Sequence, residues 1–165
     1  MVLESPSTPV DWGIKSVRDK QEEKALAAIS KLLQHYRPDI FVIEEPKESR
    51  RWPRIQSLLE AASHLPETQH ITVRRFPMAR VKKVFRTFQA ETKYQIAHAV
   101  AQQLAELAPR LPRFRKPWMS QDSRLGIFDA AALALTYYHS RSFWTQKSTQ
   151  VVASASLLAD THSLG

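Results

Sequence analysis

The run Asp39-Ile40-Phe41-Val42-Ile43-Glu44-Glu45-Pro46 constrains the fold more than any other segment of this chain. Four successive β-branched or aromatic residues, bounded by Pro38-Asp39 and by two carboxylates, are too short and too apolar for a surface helix. They read as an interior strand of a layered sheet. A carboxylate ending such a strand carries a desolvation cost, usually offset by a cation, a hydrogen-bond network or water access. Glu44 and Glu45 therefore either mark where the strand meets solvent or belong to a site.

The rest of the chain favours a site. Its 165 residues suit one domain with a two- or three-layer core. Lys and Arg number 24 against 16 Asp and Glu, a net charge of +8. A surface this basic fits a polyanionic partner, nucleic acid before membrane, because no basic amphipathic helix or lipidation signal accompanies it. The absence of cysteine removes disulfides, thiolate chemistry and cysteine-based zinc sites together. Glycine occurs only at Gly13, Gly126 and Gly165, which excludes a P-loop and a Rossmann fingerprint. No apolar run approaches membrane-spanning length and no signal peptide opens the chain, so the expected location is cytoplasmic.

Along the chain, Val2-Leu3-Glu4 and Val10 to Val17 predict a hairpin across a turn-rich Ser5–Pro9. A helix capped by Ser16 or Asp19 follows, with Leu26, Ile29, Leu32, Leu33 and Tyr36 on its apolar face, and Pro38 stops it. After the Asp39–Glu44 strand comes a basic connection with Arg50 and Arg51, then a helix over Pro53–His64. His70 to Arg75 predicts a strand, Pro77 opens a short segment ending near Phe85, and Thr92 to Leu107 is helical. Pro109 to Pro117 is a basic loop, Phe128 to Tyr138 a small-residue helix, and the residues from 140 to 165 a loosely docked tail. This order predicts an α/β layered domain with a mixed sheet flanked by helices over 1–139.

Basic residues concentrate at Arg74, Arg75, Arg80, Lys82, Lys83 and Arg86, and again at Arg110, Arg113, Arg115 and Lys116 beside Phe114 and Trp118. Cations spaced among aromatics suit a nucleic-acid backbone with exposed bases, although a guarded strand edge carries similar charge. The carboxylates Glu44, Asp129 and Asp122 come from separate elements between these patches. Convergent carboxylates ringed by cations are what a phosphodiesterase using two Mg²⁺ ions about 4 Å apart needs. An N-cap role explains Asp129 equally well. The six histidines show no paired ligand spacing, and no serine has evident His and Asp partners in register.

Three motifs in order resemble the RuvC type of Holliday junction resolvase, within the ribonuclease H-like superfamily. They are the strand ending in Glu44, then Arg80-Val81-Lys82-Lys83-Val84 with Thr92-Lys93-Tyr94-Gln95-Ile96, then Asp129-Ala130-Ala131-Ala132-Leu133-Ala134. The resemblance spans residues 2–139 and implies a Mg²⁺- or Mn²⁺-dependent endonuclease on branched DNA, working as a homodimer. It implies Glu44 and Asp129 as metal ligands, helped by Asp122, and Lys82 and Lys93 facing the DNA and the catalytic centre. A non-catalytic nucleic-acid-binding module and a YqgF-like RNA-processing nuclease are the alternatives. The Pro53–His64 helix is a candidate dimer seam, and burial within one subunit explains its apolar face equally well.

The chain departs from the family twice. Ala132 stands where a second aspartate is usual. The family's first strand, which carries the first metal-binding aspartate and lies between the hairpin and the Glu44 strand, has no counterpart after Met1. The expectation is either a start upstream of Met1 or a short form, inactive or reliant on a partner chain for that strand. Unless the hairpin and the Glu44 strand pair directly, both keep unpaired backbone groups. Such a chain is expected to be poorly stable and to cleave nothing.

Overall fold

The structure, a computed structural model, describes residues 1–14, 22–45, 53–66, 70–115 and 122–141. Val2–Ser5 (β1) and Thr8–Asp11 (β2) form an antiparallel hairpin turned at Pro6 and Ser7. The second strand starts earlier than its alternation predicts. Pairing Ser5 with Thr8 and Leu3 with Pro9 draws Thr8 and Pro9 into the ladder, with one register shift on each strand. Proline is tolerated there because the strand lies at an edge. The predicted caps Ser16 and Asp19 fall outside the described residues.

Helix α1 (Glu22–Tyr36) buries Ala25 and Leu33, half-buries Leu26, Ile29 and Tyr36, and leaves Leu32 49% exposed. The apolar face is narrower than the spacing predicts. Among the described elements its main neighbour is the next helix, and Leu32 is left largely uncovered. Arg37, at φ 44°, ends α1, and its N–H donates to the Leu33 carbonyl at 2.9 Å. At this end the Tyr36 hydroxyl donates to Asp11 Oδ2 at 2.7 Å, which ties the helix to the hairpin.

Strand β3 (Ile40–Glu44) precedes helix α2 (Pro53–His64) and pairs in parallel with β4 (Thr72–Phe76). The β3 segment is a strand as predicted but not an interior one: only Ile43 is buried, at 7% exposure, and the other positions are half-buried. It has one hydrogen-bonded neighbour, and no described strand covers its other side. In α2, Ala62 and Ser63 are buried and Leu58 and Leu59 half-buried, with α1 and β3 as neighbours.

The core lies among three helices, α3 (Met78–Phe85), α4 (Lys93–Gln103) and α5 over 125–141. Val81, Phe85, Ile96, Val100, Leu104, Leu107 and Phe128 are each at most 3% exposed. Ala97, Ala131 and Ala132, at most 1% exposed, are small enough for the helices to approach closely. The expected helix to Leu107 breaks at Leu104, and a 3₁₀ segment, Ala105–Arg110, follows. Pro109 offers no N–H to an α-helix, and the three-residue repeat of a 3₁₀ turn puts Leu104 and Leu107 on one side, both fully buried.

Strand directions are mixed, antiparallel in the hairpin and parallel in β3–β4, and among the described residues the strands form two pairs. Direct pairing between the hairpin and β3 does not occur among the described residues. Leu3, Val42 and Phe76 nevertheless pack against the same helical core. Hydrophobic burial thus ties both pairs to one core.

Candidate nucleic-acid interface

The register of β3 on β4 decides what Glu44 faces. Val42 lies beside Arg74 and Glu44 beside Phe76. Side chains two apart on a strand share a face, so these four residues look to one side. Val42 and Phe76 pack on the α3–α4–α5 core, and that face is therefore the helical one. Glu44 therefore ends β3 on the face turned toward the helical core. Its side chain is half-buried and makes no ion pair or hydrogen bond among the described residues. Arg75 projects to the opposite face, where its guanidinium donates to Ser63 Oγ of α2. Arg74 stays exposed on the Glu44 face.

The other carboxylate is placed by two helix starts. Thr92 caps α4: its Oγ1 accepts from the Gln95 N–H at 3.2 Å, and Gln95 Oε1 accepts from the Thr92 N–H at 2.9 Å. This reciprocal capping box makes Lys93 the first residue of the helix, at the positive end of its dipole. A cation there is locally unfavourable, and Asp129 of α5 offsets it, with Lys93 Nζ to Asp129 Oδ2 at 3.2 Å. Both side chains are partly exposed, so the pair stabilises by about 1 kcal/mol or less. A residue that breaks a local rule with a compensating partner is the pattern expected of a functional position. Asp129 lies inside α5, past its first turn, which removes the N-cap explanation for it.

Asp122 takes the capping role. Its Oδ1 accepts from the Arg124 backbone N–H at 3.0 Å and from Arg124 Nε at 3.1 Å. Its Oδ2 accepts from Arg124 Nη2 at 2.9 Å and from Arg115 Nη2 at 3.3 Å. The side chain is 8% exposed, and the Arg124 hydrogen bonds hold its pKa at about 2, below the ordinary 3.8. Asp122 and Arg115, expected at a metal and at nucleic acid respectively, are thus joined to each other. The short spacing Asp122-x-Arg124 before an apolar run was the sequence signal for this cap.

A pH dependence follows. The folded carboxylate stays charged to about pH 2 while the unfolded one takes its proton near 3.8. Its stabilisation is complete above that upper value and is lost as pH falls through the interval. Asp122→Asn is expected to flatten the decline of Tm between pH 4 and pH 2 in thermal melts. Asp122→Ala should also lower Tm at pH 7 by about 2–8 °C. An acid limb unchanged in the Asn variant would contradict this.

The cations form two surfaces. Along α3, Val81 and Phe85 face the core while Lys82 and Lys83 project outward, with Arg86 just past the helix end in the same row. Arg86 Nε lies 3.7 Å from Glu91 Oε1, and Arg80 Nη2 donates to Ser140 Oγ of α5 at 3.5 Å. The second surface holds Arg113, Phe114 and Arg115, all exposed. The expected contacts Lys116 and Trp118 lie outside the described residues, as do Arg50, Arg51 and the tail from 142 to 165. Ala132 is buried at 1% exposure one turn along α5 from Asp129, so no second carboxylate comes from that position. Among the described residues no three Asp, Glu or His side chains gather to hold a metal ion. No described helix is long and apolar enough to cross a membrane.

Neither family models nor curated proteins match the chain. Solved structures do. RuvC of Thermus thermophilus in complex with a Holliday junction substrate superposes with a TM-score of 0.55 at 20% identity, covering 78% of this chain and 76% of that one. A second Thermus thermophilus RuvC structure gives 0.56 at 20% identity, covering 78% and 75%. The chain has a RuvC-like, ribonuclease H-like fold.

Proposed function

We propose that this RuvC-like domain binds branched DNA and that Glu44 and Asp129 belong to a Mg²⁺-dependent phosphodiester-cleaving site. The observation that carries the reading is the Lys93–Asp129 pair, 3.2 Å apart at the start of α4, with Tyr94 of the same turn touching Phe114 of the cationic 113–115 segment. The Holliday junction bound by the Thermus RuvC supports DNA as the partner. On this reading Lys82, Lys83, Arg74 and Arg113 attract the backbone. Lys93 sits where a phosphate oxygen can replace Asp129 as its counter-charge.

The donor set suits magnesium. Glu44 and Asp129 Oδ1 make no hydrogen bond among the described residues, and Mg²⁺ is commonly held by one or two carboxylates together with substrate phosphates. When bound by these two carboxylates, the ion would supply Lewis acidity to the attacking water and the leaving oxygen. The chain's own residues would do the rest: Lys93 orients the phosphate, and the cations hold the flanking strand.

Buried Ala132, in place of a second carboxylate, favours the second reading, a binding module without catalysis. One experiment separates the two. The full chain is incubated with a labelled four-way junction, a matched duplex and a structured RNA, with Mg²⁺ or Mn²⁺. The expected result is tighter binding to the junction than to the duplex. Divalent-dependent nicking should fall more than about 100-fold in Glu44→Gln with binding unchanged. Junction binding without nicking assigns the non-catalytic reading, and preference for the RNA assigns a YqgF-like RNA-processing role. Failure to bind any of the three ends the proposal.

A further inference from the structure

The loop after the 3₁₀ segment holds an aromatic ring in an unusual position. Phe114 is 68% exposed, the most exposed of the large hydrophobics among the described residues. Single exposed apolar residues are ordinary and need no explanation. This one is anchored on both sides. Before it, Leu111 packs on the core and Pro112 is buried. After it, Arg115 is joined to the buried Asp122 at 3.3 Å. The ring also meets Tyr94, with centroids 5.3 Å apart and planes at 82°. An edge-to-face pair uses at most one face of each ring, so Phe114 keeps at least one face open to solvent. Tyr94 follows Lys93 on the first turn of α4, which places the pair next to the Lys93–Asp129 contact. Arg113 and Arg115 flank Phe114, and residues 113–115 include no acid.

An aromatic face held rigid between cations is what an unpaired nucleobase requires. Its π-surface is covered by the ring while its phosphate meets the neighbouring Arg113. We infer that Phe114, braced by Tyr94, is a stacking platform for one unpaired base of a bound strand, adjacent to the Lys93–Asp129 site. The inference rests on the nucleic-acid reading above and names the part of the ligand that this surface takes. A closely packed duplex end offers no such base, so the platform favours DNA whose strands separate, as at a branch point.

Binding of the full chain is compared on three labelled DNAs: a duplex, a splayed-arm DNA with unpaired nucleotides, and the same splayed DNA with abasic sites at those positions. Phe114→Ala is expected to weaken binding of the splayed DNA roughly 5- to 150-fold and to leave the duplex unchanged. Phe114→Leu, which keeps the apolar bulk, should show the same loss with an unaltered Tm, whereas Phe114→Trp should retain or strengthen binding. Abasic sites should weaken the wild type as much as Phe114→Ala does, with no further loss when both are combined. Wild-type affinity in Phe114→Leu, or an equal loss on duplex and splayed DNA, overturns the platform alone. Wild-type protein that binds none of the DNAs overturns the nucleic-acid reading and the platform with it. If the alanine and leucine variants unfold, the tryptophan variant and the abasic series decide.

Discussion

Replacing Phe128 with alanine is expected to lower the stability of the protein by about 3–5 kcal/mol. The ring is 1% exposed in the cluster where α3, α4 and α5 meet. Its removal loses the transfer free energy of a large apolar side chain and leaves a cavity that the flanking buried alanines are too small to fill. Domains of this size are stable by only about 5–15 kcal/mol, so the loss removes a large share of the total. Urea unfolding measures it as a fall in midpoint at constant slope. Leu32→Ala is the control: at 49% exposure it should change stability by about 0.5 kcal/mol or less. A comparable cost at the two positions would place the core elsewhere.

The second large effect is on binding. If six phosphates are neutralised by cations such as Arg74, Lys82, Lys83 and Arg113, log K should fall with log salt at a slope of about −5. Between 50 and 200 mM salt that is a loss of roughly 10³ in affinity. Replacing Lys82 by alanine should make the slope shallower by about one, with similar weakening on every DNA sequence. Arg75→Ala should leave the slope nearly unchanged, because that guanidinium serves Ser63 on the far side of the strand pair. Affinity that ignores salt would exclude binding through the phosphate backbone.

Much of this arrangement was legible in the chain before its folding was known. The bounds of α2 coincide with those expected, because Pro53 opens it and its apolar spacing is helical throughout. The strand ending at Glu44 was clear from its β-branched run. What periodicity left obscure depends on neighbours. Leu32 fits the apolar repeat of α1, yet whether it is covered depends on how many elements pack there. Leu104 continues the repeat of α4, and only Pro109 five residues on hints that the helix tightens. Of two aspartates near the start of α5, only Asp122 carries the short Asp-x-Arg spacing of the cap, and both are equally plausible ligands by residue type. The structure separates them, Asp122 toward two arginines and Asp129 toward Lys93. The capping box Thr92-x-x-Gln95 was present in full in the sequence, and it is what fixes Lys93 at the first position of α4.

The division of the strands into two separate pairs bears on how this protein behaves in a test tube. Among the described residues the parallel pair β3–β4 has no further strand beside it, and an open rim of amides and carbonyls can dock an extended polypeptide that offers a matching one. Self-association should therefore grow with concentration, and dilute, low-temperature handling will preserve single chains longest.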